Sequence, residues 1–508
     1  MSVMQPWRPE PVFEMDKAAG SKTAAVIDEQ LEAVKHRTGH IPLYHKRVKI
    51  FPKAVRGNFR RAKWTFMVVL LGIYYLAPWL RWGRGAGAPD QAILIDFPSR
   101  KFYFFFIEIW PQEVYYLTGL LILAAIGLFF MTSLFGRVWC GYACPQTVWT
   151  DLYLWAERSI EGDRNAQMRL DAAPWNLEKL AKRGAKHALW LAIAALTGGA
   201  WVFYFADAPT LAREIVTLQA PTAAWITIGF LTGSTYLLAG FAREQVCTYM
   251  CPYARFQSAM LDEDSLIVTY RADRGEPRGK HKRGDSWDGR GDCVDCKACV
   301  AVCPTGIDIR DGQQLECINC GLCVDACNEI MDKVGRPRGL IGLDTLANLN
   351  ARKVGKTAHF RFLRPRTFIY AGVLALVAGI MLYGLITRPT LQLEVLRDRN
   401  PLFVILSDGS VRNAYSFKVI NKNHEPRRYL LTAVGMPQLQ TSAVPVAFDH
   451  AGNTVFTVES DRLESFRVLA QAPRSALTSD STDIDFTLHD LKTGEQANYR
   501  SVFRSPKP

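Results

Sequence analysis

Residues 293–304, CVDCKACVAVCP, and residues 317–327, CINCGLCVDAC, carry eight of the twelve cysteines of this 508-residue chain. Each stretch spaces its cysteines as C-x2-C-x2-C-x3-C, and Pro304 closes the first. Three thiolates at three-residue intervals wrap a loop around one face of an iron–sulfur cubane, and the fourth reaches the neighbouring cubane. The spacing predicts two 4Fe–4S clusters: one on Cys293, Cys296, Cys299 and Cys327, the other on Cys317, Cys320, Cys323 and Cys303. Small residues at Ala298, Gly306 and Gly321 would let backbone N–H groups approach the sulfurs. A zinc ribbon pairs two C-x2-C units and does not repeat a four-cysteine run. Asn328 follows Cys327 where Pro304 follows Cys303, so the turn after the second run differs.

The other four cysteines form a doubled motif, Cys140-Gly-Tyr-Ala-Cys144-Pro145 and Cys247-Thr-Tyr-Met-Cys251-Pro252, each shortly after an arginine (Arg137, Arg243). On a helix, residues four apart share a face, so each motif would present two sulfurs together. The proline would bend that helix. Two matched copies point to a joint site of Cys140, Cys144, Cys247 and Cys251 rather than to packing thiols. Soft thiolates suit Cu(I), zinc or another iron–sulfur centre, and a reversible dithiol is a further reading. Met250 reads as packing, and His187 as a helix-end residue rather than a ligand. No cysteine lies outside 140–327, which is unlike a disulfide-stapled secreted domain.

Around these motifs the chain alternates between very apolar and ordinary segments. Apolar runs at 64–80, 114–135, 188–205, 223–241 and 368–386 each approach the roughly 20 residues that cross a bilayer as helix. Five spans are expected, with the short aromatic stretch 97–110 at the interface. Residues 46–63 hold eight Lys/Arg and no acid, and the loop 136–187 holds eight against six acids. By the positive-inside rule both are cytoplasmic. The net charge of +13 therefore reads as membrane topology and contact with lipid, not nucleic-acid binding. The N-terminus lacks an apolar core near its start, so no cleavable signal peptide is expected.

The resulting order is a cytoplasmic segment over 1–63 and a four-helix membrane domain over 64–241, whose second cysteine motif ends at 252. A cytoplasmic segment over 242–367 follows, with a ferredoxin-like domain at about 285–335, and then a fifth span over 368–388. The last part, 389–508, has another texture. Short alternating runs at 391–396, 415–421, 429–434, 454–459, 465–470, 484–489 and 499–503 are separated by turn residues such as Asp408-Gly409 and Gly452-Asn453. This predicts an antiparallel β-sandwich across the membrane from the clusters.

Taken together, the basic lead-in Lys49-Ile-Phe-Pro-Lys53, the segment Phe97-Pro-Ser-Arg-Lys-Phe-Tyr103, the doubled Cys-x3-Cys-Pro motif and the eight-cysteine insert resemble the cytochrome c oxidase accessory proteins of the CcoG/FixG/RdxA group. The resemblance runs from about residue 47 to the C-terminus. It implies a bacterial inner-membrane protein with an immunoglobulin-like C-terminal domain, active in maturing cbb3-type cytochrome c oxidase. It also implies reduction of Cu(II) to Cu(I), with Cys140, Cys144, Cys247 and Cys251 as the candidate copper and catalytic site. Oxidase subunits or assembly factors, a copper exporter and a copper chaperone would be the partners. The electron donor is not named by the sequence. Two alternatives stand beside this: a quinol dehydrogenase subunit feeding a periplasmic partner, and a non-enzymatic assembly scaffold.

Overall fold

A computed structural model describes residues 49–506, apart from 86–87, 283, 358, 445–446 and 449–453. Residues 1–48 of the expected cytoplasmic segment 1–63 and the Gly452-Asn453 turn lie outside the described residues.

Among the described residues, four helices are long and apolar enough to cross a membrane: Asn58–Trp79, Pro111–Phe135, Thr222–Ala242 and Pro365–Thr387. We label their α-helical parts α1 (Asn58–Leu76), α2 (Tyr115–Phe135), α5 (Thr222–Thr235) and α9 (Pro365–Thr387). Between them run α3 (Pro145–Glu161) and α4 (Leu177–Val202). The expected third span, 188–205, is the apolar half of the 26-residue α4, whose first turns carry Lys179, Lys182, Arg183 and Lys186. Helix α4 packs along α5. Gly198 permits this: a Cβ there would come within 2.8 Å of the Ile228 carbonyl oxygen. Small residues give apolar helices this close approach.

The first span starts earlier than its apolar run suggests. Arg60 and Lys63 lie inside α1 and are buried. Arg60 makes 2.8 and 3.0 Å bonds to the Asp151 carboxylate of α3, and the Lys63 ammonium stands 3.9 Å from it. Part of the basic lead-in is thus a buried ion-pair network, because two charges withdrawn from water must be matched.

At the far end of α2, the stretch expected to be interfacial folds as a three-stranded antiparallel sheet, β1 (Ile93–Asp96), β2 (Lys101–Phe104) and β3 (Ile107–Ile109). It docks on the C-terminal domain. Lys101 meets Asp461 at 2.8 Å and Lys422 meets Glu113 at 2.6 Å, with all four side chains almost fully buried. That domain is the expected sandwich. One sheet has the order β10–β13–β8–β6 with β7 beside β8, and the other β11–β12–β9–β14–β15. Here β6 is Leu391–Arg397, β7 Val404–Ile405, β8 Val411–Asn421, β9 Arg427–Val434 and β10 Gln440–Val444. The rest are β11 Ala447–Phe448, β12 Thr454–Val458, β13 Arg462–Ala472, β14 Ser481–Asp490 and β15 Gln496–Arg504. All seven expected strands are present. Strand β8 shows why, since Val411, Asn413, Tyr415, Phe417 and Val419 alternate inward. The inward residues meet Phe456, Phe486 and Phe503 in one core.

At the opposite end of α2 sits the cysteine-rich insert. Two strands, β4 (Ile267–Tyr270) and β5 (Ile341–Asp344), pair antiparallel and flank the short helix α7 (Ala298–Val302) and α8 (Leu322–Lys333). Helix α6 (Pro252–Met260) leads into it from the second membrane-edge motif.

Candidate functional site

The two cysteine runs fold alike. In the first, Asp295 (φ 48°) and Lys297 (φ 54°) adopt left-handed backbone; in the second, Asn319 (φ 58°) and Gly321 (φ 71°) do so at the same offsets. Each pair swings the chain around one centre before α7 or α8 begins. Only one of the four is glycine, so three side chains carry the strain of this conformation.

One small cavity is lined by Cys293, Cys296, Cys299 and Cys327, and a second by Cys303, Cys317, Cys320 and Cys323 with Cys299 at its edge. These are the two sets expected from the spacing. No carboxylate lines either cavity, and the other walls include Ile307, Ile309, Ile330, Met331, Leu340 and Ile341. Among the described residues no three His, Cys, Asp or Glu side chains converge as a single ion would require. Thiols ringing an apolar hollow fit an iron–sulfur cubane. In the first set Cys296 is exposed and the other three are buried; in the second Cys320 is buried and the other three are half-buried. Arg310 closes the first site, paired to Asp295 and Asp308 at 2.6 Å each and 4.0 Å from the Cys293 sulfur.

The second run is built onto the membrane helices. The Tyr142 hydroxyl donates to the Cys320 carbonyl at 3.0 Å. A Cβ on Gly141 would fall 2.8 Å from the Ile318 carbonyl oxygen. Arg137, buried, donates to the Cys317 carbonyl at 3.0 Å and also to that of Leu315. Asn319 accepts the Val268 N–H at 2.6 Å and donates to the carbonyls of Leu266 and Phe135 at 3.2 and 3.3 Å. The first membrane-edge motif therefore touches the loop that bears Cys317 and Cys320.

The doubled motif departs from the expected bent helix. Trp139–Ala143 and Val246–Met250 are wide π-helical turns. The N–H of Cys144 reaches back five residues to Trp139 at 2.8 Å, and that of Cys251 to Val246 at 2.7 Å. Each helix ends there, and Pro145 and Pro252 open α3 and α6. Proline suits a first helical position because its missing N–H has no partner to lose there. Turns of this kind recur at functional sites.

The four thiols of the expected joint site are electrostatic neighbours, but no three of them converge as a single ion would require. Burial pushes Cys140 up to about 12; Arg137 opposes this, while Cys144 and Cys247 add to it. Burial also raises Cys247, to about 11, with help from Cys144 and Cys251. Burial raises Cys144 as well, against the Thr147 and Gln146 N–H groups at the start of α3. Cys140 donates to Gln257 Oε1 at 2.9 Å. Gln257 is wholly buried and donates to Thr132 and Tyr253. Nothing in the sequence marked Gln257, whereas the repeat offsets could have marked Asn319. His187, read as a helix-end residue, has its Nδ1 3.0 Å from the Tyr236 hydroxyl and its ring on Trp190 and Phe241. Met250 is exposed.

Three stretches match known families. Residues 242–345 match a 4Fe-4S dicluster domain, residues 117–161 a 4Fe-4S binding domain, and residues 381–506 the IG-like fold at the C-terminus of FixG. The chain is 53% identical to the nitrogen fixation protein FixG of Rhizobium meliloti, over 96% of this chain and 98% of that protein. It is 55% identical to the protein RdxA of Cereibacter sphaeroides, over 81% and 89% of the two chains. A solved FixG-related protein from Vibrio parahaemolyticus matches 23% of this chain and 97% of its own length at 26% identity, with a TM-score of 0.20.

Proposed function

The chain belongs to the FixG/RdxA family of membrane iron–sulfur electron-transfer proteins, and from that premise we propose that it reduces Cu(II) to Cu(I) for assembly of a cbb3-type cytochrome c oxidase. In this reading Cys293, Cys296, Cys299 and Cys327 hold one 4Fe–4S cluster, and Cys317, Cys320, Cys323 and Cys303 hold the other. Bound there, the clusters supply one-electron storage and transfer. Cu(II) needs one electron to become Cu(I).

The observation that carries the proposal is the contact between Tyr142 and the Cys320 carbonyl, two residues from Cys140 and Cys144. Thiols gathered at that edge favour the cuprous product, since soft sulfur prefers Cu(I). Burial of Cys140, Cys144 and Cys247 disfavours their free thiolates, so a bound cation would be what draws those protons off. An oxidase subunit or assembly factor, a copper exporter and a copper chaperone are the partners this role requires. The same reading puts five spans in a bacterial inner membrane, with α4 as the third. The N-terminus and clusters face the cytoplasm, and the sandwich faces the periplasm.

The test is anaerobic. Protein with reduced clusters is mixed with Cu(II) beside a Cu(I) chelator. Cluster reoxidation in step with chelated Cu(I) is expected, and clusters that stay reduced overturn the proposal. One observation favours a second reading. The match of residues 117–161 to a 4Fe-4S binding domain includes Cys140 and Cys144. Iron beyond that needed by two cubanes, lost on serine substitution at those positions, would establish a further iron–sulfur centre there.

A further inference from the structure

A cavity of about 350 Å³ opens where the cysteine-rich insert meets the membrane helices. Its walls are Asn58, Phe59, Ala62 and Phe66 of α1, Phe135 of α2, Val138 and Tyr142 after it, and Leu266, Asn319 and Leu343 of the insert. The size suits a small-molecule headgroup, and the lining is mostly apolar with few polar groups, as ligand sites are. Phe66 is half exposed, and its ring meets that of Tyr142 edge-on at 5.6 Å. Asn58 is exposed at the start of α1. Exposed residues thus stand at two places along the cavity wall, Phe66 in the apolar run of α1 and Asn58 at its first turn.

We propose that this cavity binds the headgroup of a membrane quinol. An ordinary lipid chain would need only apolar walls. Here two wall residues belong to the second cluster loop or touch it. Asn319 directly precedes Cys320, and the Tyr142 hydroxyl donates to the Cys320 carbonyl. That hydroxyl keeps a lone pair that can accept from a quinol O–H. Asn319 has its amide N–H groups committed to Leu266 and Phe135 and its Oδ1 bonded by Val268, so it fixes the wall. Oxidation of one quinol releases two electrons and two protons. Two 4Fe–4S clusters held as above would take one electron each, and the two protons would pass to water at the exposed Asn58 end of the cavity. The proposal rests on the electron-carrier reading above and supplies its reductant.

The test uses the full-length protein in lipid nanodiscs with an azidoquinone that cross-links on illumination. Labelling is expected on peptides spanning 59–66 and 135–142, competed by decylubiquinone. Ala62→Trp and Leu343→Trp, which fill the cavity from opposite walls, should each lower labelling at least about tenfold by steric exclusion. Iron content and bleaching by dithionite should stay at the parent level in both. Labelling elsewhere, labelling unchanged in both filled variants, or competition by phospholipid but not by quinone overturns the proposal. Failure of dithionite to reduce the parent protein would instead overturn the electron-carrier reading.

Discussion

The Asp325 carboxylate accepts the Arg60 N–H at 2.8 Å, and the Phe59 N–H at 3.3 Å, from 265 residues away. A residue of the cluster-bearing helix α8 thereby caps the first membrane helix. Gly57 makes room, since a Cβ there would fall on the Asp325 side chain. The four leading N–H groups of a helix need such partners, and loss of a capping carboxylate costs about 1–2 kcal/mol. Asp325→Ala should lower the thermal midpoint and expose the 49–60 stretch to protease. Asp325→Asn should recover most of both. Equal behaviour of the two variants would mean that the cap contributes nothing.

Arg137 is the second tie between insert and membrane. It is 4% exposed and donates to two carbonyls of the second cluster loop. Arg137→Ala takes the donor from the part-buried Leu315 and Cys317 carbonyls, at roughly 1 kcal/mol each. Lysine cannot reproduce the planar fork. Iron should be lost preferentially from the cluster on Cys317, Cys320, Cys323 and Cys303 in Arg137→Ala, and partly in Arg137→Lys. Paramagnetic resonance of the reduced protein distinguishes the two clusters, and uniform loss would refute the assignment.

Serine at Cys140, Cys144, Cys247 and Cys251 separates a chemical role from a structural one. Their sulfurs are not in the walls of either cluster cavity. Chelated Cu(I) per minute should fall at least about tenfold, roughly 1.4 kcal/mol of barrier, while cluster absorbance stays. Loss of cluster absorbance in the same variant would show that the motif only props up the second loop.

How much of this could be read beforehand depends on range along the chain. The gathering of the eight cysteines around two hollows was legible because they lie within 35 residues and the spacing itself carries the geometry. Strands such as β8 were legible because one buried face imposes a period of two. Strands β7 and β11 were missed, being two residues long, and β10 was missed with them. The doubled motif was found but its shape was not. Pro145 and Pro252 begin new helices rather than bending old ones, and a wide turn fills the gap. Arg60 and Lys63 read as topology signals because Asp151, their partner, is about 90 residues on. Gln257, Asp325 and Arg310 carry no local pattern at all; only folding brings them to the site.

Glu108 makes the attachment of the sandwich sensitive to pH. Burial, then the Asp461 carboxylate, push it from 4.5 up to about 7 against the pull of Lys101 and Arg84. His424 stands 3.8 Å away, and Arg388 donates to the Glu108 carbonyl. Folded Glu108 holds its proton more tightly than the unfolded chain does. Its contribution is therefore complete below pH 4.5 and is lost as pH rises through about 7. The most this can amount to is about 3 kcal/mol. Unfolding followed between those limits should show stability falling more steeply with pH in the parent than in Glu108→Gln. Parallel slopes would exclude Glu108 as the source.

The equivalent positions Lys297 and Gly321 give the sharpest test of the repeat. Both are left-handed, at φ 54° and 71°, and both precede a helix that carries ligands. Their surroundings differ. A Cβ on Gly321 would meet the Phe59 ring at 2.3 Å, whereas Lys297 is exposed. Gly321→Ala therefore adds a steric clash to left-handed strain and should cost at least about 2 kcal/mol. Lys297→Gly relieves strain while freeing the unfolded chain, so the two terms nearly cancel and the change stays under about 1 kcal/mol. Denaturant unfolding and the rate of cluster bleaching by an iron chelator should both separate the variants, with Gly321→Ala the faster to bleach. Equal sensitivity at the two positions would mean that backbone conformation alone governs them, and that the seat of the second loop on Phe59 is immaterial.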